Sequence, residues 1–339
     1  MKYREEAIAR DLYRELVSRF DEWTVEIAGA GVHWHCDISH NNRSCRISCF
    51  ATESIAEFYT TYRQESCDSA SSRIPSSKNT LNAVTDWLNG SDLATLYERY
   101  AFVDHKKRYL AQLWEQVLVM EPDLAISTSS ELRQEWGDSY ELAFSSEDRA
   151  CRLSFYGKNE WPDARFSWDE CQLFTYQPHD TAQLAGVLRG WLCNKWKPSQ
   201  MRQEFPWLKI GELADYYENG KPIEGEFVKS WDYMEQFYDE LNYPYTGGVR
   251  SFIAAMRLKG YDKTLRAGQS LSSLILSRSR RHGMRLDQPR VIFQFGDEGM
   301  VVYSSLQNQT NLVRSAYRSI KLSPAIETLL NQLQSTPID

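Results

Sequence analysis

The sequence lacks the features that mark several large classes of protein. No run approaches about 18 consecutive apolar residues, so no segment reads as a membrane-spanning helix. Glycine and proline are scarce, 17 and 11 of 339 residues, which excludes collagen-like and low-complexity chains. Positive charge is in deficit as well, since 39 Lys and Arg face 46 Asp and Glu, for a net charge of −7. Binding to nucleic acid is therefore disfavoured, because such domains are usually basic.

The chain also lacks a secretory pattern. It begins MKYREEAIARDLYRELVSRF, which alternates charged and apolar residues where a signal peptide has an uninterrupted apolar core. Seven cysteines are an odd number, and several lie in strand-like apolar runs. We therefore expect reduced thiols and a cytoplasmic protein that does not associate with membranes.

Catalytic and cofactor motifs are missing too. There is no GxxxxGK[ST], no GxGxxG after a strand and no GxSxG, so we expect no cofactor and predict no catalytic residue. The most metal-like cluster is His33, His35 and Cys36. On a strand the two histidines share one face and Cys36 lies on the other, whereas zinc needs four convergent ligands. We therefore expect strand histidines here and no metal site.

What the sequence contains is an internal duplication. Motifs of the first part return in the same order at offsets of 104 to 106 positions, which is the mark of a repeated structural unit. In chain order, CRISCF at 45–50 returns as CRLSFY at 151–156, Trp87-Leu88 as Trp191-Leu192, and YAFV at 100–103 as FPWL at 205–208.

Each unit reads as short strands followed by amphipathic helices. Strand-like alternation at Cys45, Ile47 and Cys49 precedes helical spacing at Leu81, Val84 and Leu88. The predicted class is α+β, with duplicated units of small antiparallel sheet plus helices at 1–122 and 123–245, and a diverged third unit at 246–339. The stripes around Trp114 and Trp231 are predicted to close the first two units. The serine-rich segment 65–80 is predicted to be a linker or loop.

The second unit and its continuation carry a resemblance. The residues are Gly190-Trp191-Leu192, MRQEFPWL at 201–208, Leu213-Ala214, Glu218-Asn219-Gly220, Trp231, Ala254-Ala255, Leu265-Arg266, Ser270 and LILS at 274–277. Together, over roughly 184–278, they resemble an uncharacterised bacterial family labelled as natural product biosynthesis proteins. The serine matched by Ser270 is commonly followed by His in that family, whereas Leu271 stands here. The resemblance implies a fold and a bacterial setting, but no reaction.

Two groups of residues are candidates for a binding surface. Arginines cluster near the C-terminus and could bind an anion or an acidic partner, or could form a charged loop between strands. Two tryptophans fall in predicted loops of the second unit, where they could form an interface or pack internally. The arginines are Arg278, Arg280, Arg281, Arg285 and Arg290, and the tryptophans are Trp161 and Trp196.

Three functions remain open. The leading hypothesis is a non-enzymatic bacterial protein that binds another protein, such as an immunity protein or defence component facing a basic toxin or effector. The alternative is an enzyme or accessory factor of natural product biosynthesis, with a pocket bordered by Arg266, Ser270 and the arginines. The third, an RNA-binding module built on residues 278–290, is disfavoured by the net charge.

Overall fold

The fold consists of three five-stranded antiparallel sheets, each flanked by helices, in a computed structural model that describes residues 2–30, 33–51, 55–65, 67–136, 139–155, 161–281, 288–306 and 312–338. In every sheet the strands lie side by side in chain order. The α+β class and the repetition of sheet units are thus confirmed. Within the described ranges, no helix combines the length and apolar character needed to cross a membrane.

The first repeat places one helix before its sheet and two after it. Its elements are α1 Lys2–Arg19, β1 Thr24–Ala30, β2 His33–His40, β3 Arg43–Ala51, β4 Ala56–Gln64, β5 Cys67–Ile74, α2 Ser77–Leu88 and α3 Leu93–Arg99. The core-facing residues of β3 are Cys45, Ile47 and Cys49, each about 1% exposed or less. They follow the period of two that a half-buried strand requires.

The second repeat also has helices before and after its sheet, but more of them. Its elements are α4 His105–Met120, α5 Asp123–Ser127, β6 Ser129–Trp136, β7 Ser139–Ser146, β8 Arg149–Ser154, β9 Asp163–Trp168, β10 Cys171–Tyr176, α6 Thr181–Leu188, a π-helical turn Arg189–Cys193, α7 Pro198–Glu204 and α8 Leu213–Glu218. Asp180 begins α6 by accepting a hydrogen bond from the Ala182 N–H at 2.8 Å, which satisfies a donor that the first helical turn leaves open.

The third repeat keeps the sheet and changes its connections. Its elements are α9 Pro222–Glu240, α10 Thr246–Leu258, a 3₁₀ turn Tyr261–Lys263, β11 Arg266–Ser270, β12 Ser273–Ser277, β13 Arg290–Gly296, β14 Gly299–Ser304, β15 Val313–Tyr317 and α11 Pro324–Gln334. Between the second and third strands the first two sheets have tight turns at 41–42 and 147–148. The third sheet has residues 278–289 there, which confirms its divergence.

The duplication extends to strand register. In both β5 and β10 one extra residue interrupts the pairing, and this bulge falls at equivalent positions, Ser69 and Leu173. The pairs that flank the bulge are Tyr62↔Ala70 and Arg63↔Asp68 in the first sheet, and Phe166↔Phe174 and Ser167↔Gln172 in the second. Because register determines which face each side chain occupies, the two sheets place equivalent residues alike.

The two repeats also share an arginine–tryptophan contact. Arg43 and Arg149 open the third strand of their sheets, with guanidinium carbons 4.2 Å and 3.9 Å from the ring centroids of Trp87 and Trp191. Each guanidinium also donates to carbonyl groups near the end of the helical segment that carries its tryptophan. This arrangement combines a cation–π contact with a positive charge at a helix C-terminus.

The helices that carry Trp114 and Trp231 pack on the sheet that follows them in the chain. Trp114, on the helix predicted to close the first unit, lies 4.4 Å from the Phe144 ring of the second sheet. Trp231, predicted to close the second unit, is buried in the core of the third sheet and donates to the Leu265 carbonyl at 2.7 Å. Each repeat therefore begins with the helix that packs on its sheet, because a helix covers the sheet that its apolar stripe can reach.

The predicted linker at 65–80 is wrong. Residues Cys67–Ile74 form the edge strand β5, and α2 begins at Ser77. Ala70, Ser71 and Ser72 of this strand are buried. Serine-rich composition alone predicted a loop where the chain forms a strand and the start of a helix.

By contact density the chain divides into two compact units. The first comprises residues 1–196 with 204–209 and holds the first two sheets. The second comprises residues 197–203 with 210–339 and holds the third sheet. The finer division at 122 and 245 stays a prediction.

Candidate interaction surfaces

The predicted arginine cluster lies on the long connection between β12 and β13. Arg278 donates to the carbonyl oxygen of Gln334 at the end of α11. Arg290 opens β13, and its backbone N–H donates to the Ser305 hydroxyl at 2.9 Å. Arg281 is half-buried, and Arg285 lies outside the described residues.

Arg280 is held by a buried carboxylate. Its Nε and Nη2 atoms lie 3.1 and 2.9 Å from Glu226 Oε1 on α9. The Tyr217 hydroxyl donates to the same oxygen, and Glu226 is only 7% exposed. The structure thus shows this arginine bridging the connection to a helix, and an anion-binding role for the cluster stays a prediction.

The two candidate tryptophans are both half-buried. The Trp161 ring makes an edge contact with Tyr109, with centroids 6.1 Å apart, and Trp196 lies 6.2 Å from Phe205. Each tryptophan ring packs partly against a neighbouring aromatic ring, and a role of Trp161 and Trp196 in an interface stays a prediction.

The histidine cluster lies on β2 as its spacing predicts. Cys36 faces the core, where its thiol contacts the Ala9 carbonyl at 3.4 Å, while His33 is exposed and His35 Nε2 lies 3.4 Å from Asp37. Over the part of the chain that the structure describes, no three His, Cys, Asp or Glu side chains are grouped to hold a metal ion.

A residue that sequence reasoning did not single out, Asp104, closes the edge of the first sheet. It precedes α4 with a left-handed backbone (φ 49°), which Asp adopts more readily than most residues. Its N–H donates to the Ser71 carbonyl at 2.7 Å, and its Oδ1 accepts the Ser71 N–H at 2.8 Å. One residue thereby satisfies both backbone groups that Ser71 directs away from the sheet, which protects the edge.

Two tyrosines complete this arrangement. The Tyr97 hydroxyl donates to Asp104 Oδ2 at 2.8 Å, and the Tyr140 hydroxyl, from the second sheet, lies 3.2 Å from Oδ1. The carboxylate side chain is fully buried, with Lys107 Nζ 3.9 Å away. Burial, together with the charge of Asp104, raises the pKa of Tyr140 to about 12 and also raises the pKa of Tyr97. Both hydroxyls therefore stay protonated donors at neutral pH.

Two small cavities flank Tyr140. One has a volume of about 290 Å³ and is lined by Ser71, Asp104, His105 and Lys106, among others. The other, of about 160 Å³, reaches Lys107 and Gln134. The larger one is near the lower limit of known small-molecule sites, roughly 300 Å³.

Among the described residues, the second repeat has no contact that closes the equivalent edge. Thr175 pairs with Arg165 of β9 in the register in which Ser71 pairs with Thr61 of β4. The Phe205 to Leu208 turn repeats the hydrogen bond of the Tyr100 to Val103 turn, and Lys209 then stands in the place of Asp104. Thr175 and Lys209 are both exposed. Among the described residues, no hydrogen bond reaches the backbone of Thr175 from beyond the sheet.

A further unusual feature is an exposed leucine at a hairpin tip. Leu271 links β11 to β12 with φ 54° and is 89% exposed. The other non-glycine residues described with positive φ are all polar. In the sequence, Gly31 lies between the residues of β1 and β2 and Gly137 between those of β6 and β7, and both positions are outside the described residues. Left-handed backbone costs a leucine about 1–2 kcal/mol, so this residue is not explained by stability.

Comparison of the chain with protein-family models, curated proteins and solved structures gives no match. The resemblance over 184–278 stays a prediction. Sequence reasoning noted Leu271 only as a departure from that resemblance. An aspartate before a helix is too common for spacing to have singled out Asp104.

Proposed function

We propose that this chain binds another protein and that Leu271 is one of its contacts. The observation that carries the proposal is the combination of φ 54° and 89% exposure at Leu271. Strained backbone reduces stability, and strained residues concentrate at functional positions. Other large aliphatic side chains are also strongly exposed: Val119 (82%), Ile126 (87%) and Leu258 (90%).

The acidic composition favours a basic partner, as the immunity or defence hypothesis requires. A net charge of −7 speeds association with a positively charged protein through long-range attraction. Immunity against a basic toxin, or a role beside a basic defence effector in a bacterial cell, is the specific form of the proposal.

The test replaces Leu271 by glycine, which relieves the backbone strain of the turn and removes the exposed side chain. Leu271→Gly should raise the free energy of unfolding by about 1 kcal/mol, because glycine adopts positive φ without strain. It should also weaken, at least tenfold, binding to the protein that co-purifies with the wild-type chain from its native cells. Leu258→Ser is the matched control, since it removes an equally exposed leucine from the end of α10.

A Leu271→Gly variant with a higher free energy of unfolding and weaker binding to the partner would support the proposal. Undiminished binding by Leu271→Gly, at wild-type partner yield, would show that the proposal is wrong.

A second candidate, the binding of a small molecule in a biosynthetic pathway, is favoured by the cavity of about 290 Å³ beside Asp104. Filling that cavity with Ser71→Leu tests it. A host metabolite that co-purifies with the wild type and is lost from this variant would support it, and co-purification unaffected by the variant would refute it.

A further inference from the structure

We propose that the free edge of β10 binds an extended, acidic segment of a partner protein in the place that Asp104 occupies on β5. The inference rests on the proposed protein-binding function and names the kind of segment that is bound. Edge strands bind extended peptides by continuing the hydrogen-bond ladder of a sheet.

The geometry of the first repeat shows what this edge accepts. On β5, Ser71 donates its N–H to a carboxylate oxygen and accepts an N–H from the same residue, Asp104. Because β10 has the same register and the same bulge, Thr175 directs its N–H and carbonyl outward in the same way. The chain has Lys209 at the position equivalent to Asp104, so this position brings no carboxylate to the edge of β10.

The surroundings of Thr175 also favour an acidic occupant. Across the sheet, on the face that carries the Thr175 side chain, stand Arg165 and Arg152, which are 28% and 59% exposed. Both contact the buried Glu141, and exposed Lys209 brings a further positive charge at the position equivalent to Asp104. A carboxylate placed as Asp104 is placed in the first repeat would lie beside these cations.

An aromatic surface continues from the same end of β10. The Trp207 ring lies 4.9 Å from the ring of Tyr176 and is 44% exposed. Phe102 holds the equivalent position in the first repeat and is half-buried. An apolar side chain next to the acidic residue of the bound segment would cover the tryptophan.

The experiment measures binding of a capped synthetic peptide, alternating threonine and valine around one central aspartate, to the full chain by calorimetry. Thr175→Pro removes the outward N–H and leaves the ladder to β9 intact, since proline is tolerated at strand edges. We expect Thr175→Pro to bind the peptide at least tenfold more weakly than wild type. Thr175→Val, which keeps the N–H, should bind it with wild-type affinity. Lys209→Asp, which supplies a carboxylate from the chain itself, should also weaken binding, as should replacing the peptide aspartate by lysine.

Equal affinity of Thr175→Pro and wild type would overturn the proposal, as would a Thr175 amide resonance that does not move when peptide is added. Self-association of the free chain that Thr175→Pro abolishes would also overturn it, because the edge would then bind a second copy. Leu271→Gly should leave peptide binding unchanged. If the native partner depends on Leu271 but the peptide fails to bind, only the edge proposal is wrong. If Leu271→Gly keeps its partner, the proposed contact at Leu271 is wrong whatever the peptide does.

Discussion

The first two sheets differ at one edge although they agree in almost everything else. They share strand order, register, a bulge and an arginine–tryptophan contact. At the fifth strand, however, Ser71 is buried beneath Asp104, whereas Thr175 is exposed and Lys209 follows the equivalent turn. The two sheets therefore share one scaffold. Lys209 stands where the first repeat has Asp104, and with this change the described residues leave the edge at Thr175 uncovered.

The largest expected effect breaks the closed edge. Asp104→Ala leaves the Ser71 N–H and two tyrosine hydroxyls without their buried acceptor, and should lower the free energy of unfolding by about 3 kcal/mol. Lys209→Ala, at the equivalent exposed position, should change it by less than about 0.5 kcal/mol. Chemical denaturation of both variants checks this contrast. Equal effects would mean that the two edges do not differ as described.

A second prediction compares Arg149, which is buried, with Arg43, which is half-buried. Arg149 lies between the rings of Trp168 and Trp191, 3.8 and 3.9 Å from their centroids, while Arg43 contacts only Trp87 among the described aromatic rings. Arg149→Ala should therefore destabilise by about 2 kcal/mol and Arg43→Ala by about 1 kcal/mol. The same denaturation measurement applies. A larger loss at Arg43 would contradict the ranking.

A smaller expected effect is a loss of stability at alkaline pH, caused by Tyr140 at the edge that Asp104 closes. The pKa of Tyr140 is raised to about 12 in the folded chain, above the value near 10 of an unfolded tyrosine. The folded state therefore holds the proton more tightly, so this contribution to stability is complete below about pH 10 and is lost as the pH rises toward 12. Unfolding free energies measured from pH 9 to 12 should fall, and Tyr140→Phe should make the fall shallower. A slope that the variant leaves unchanged would exclude Tyr140 as its source.

Local patterns predicted the interior of the fold well. The alternation around Ile47 and the helical spacing of Leu81 and Val84 identified a buried strand face and a buried helix face. These predictions succeeded because side-chain periodicity reports directly on which face of an element is apolar.

The edges and the surfaces could not be predicted in this way. The serine-rich strand β5 depends on Asp104, which lies 33 residues beyond Ser71 in the chain. The burial of Arg280 depends on Glu226, which lies 54 residues before it. Such long-range pairs follow from topology, which composition and spacing do not encode. The strain at Leu271 was likewise invisible until the turn between β11 and β12 was located.

Amide hydrogen exchange at two residues tests the central contrast most directly. The Ser71 N–H, which donates to the Asp104 carboxylate, should be protected in the intact chain, and the Thr175 N–H should exchange at least a hundredfold faster. Comparable protection at both amides would mean that the second edge is closed, and the account of an open strand would be contradicted.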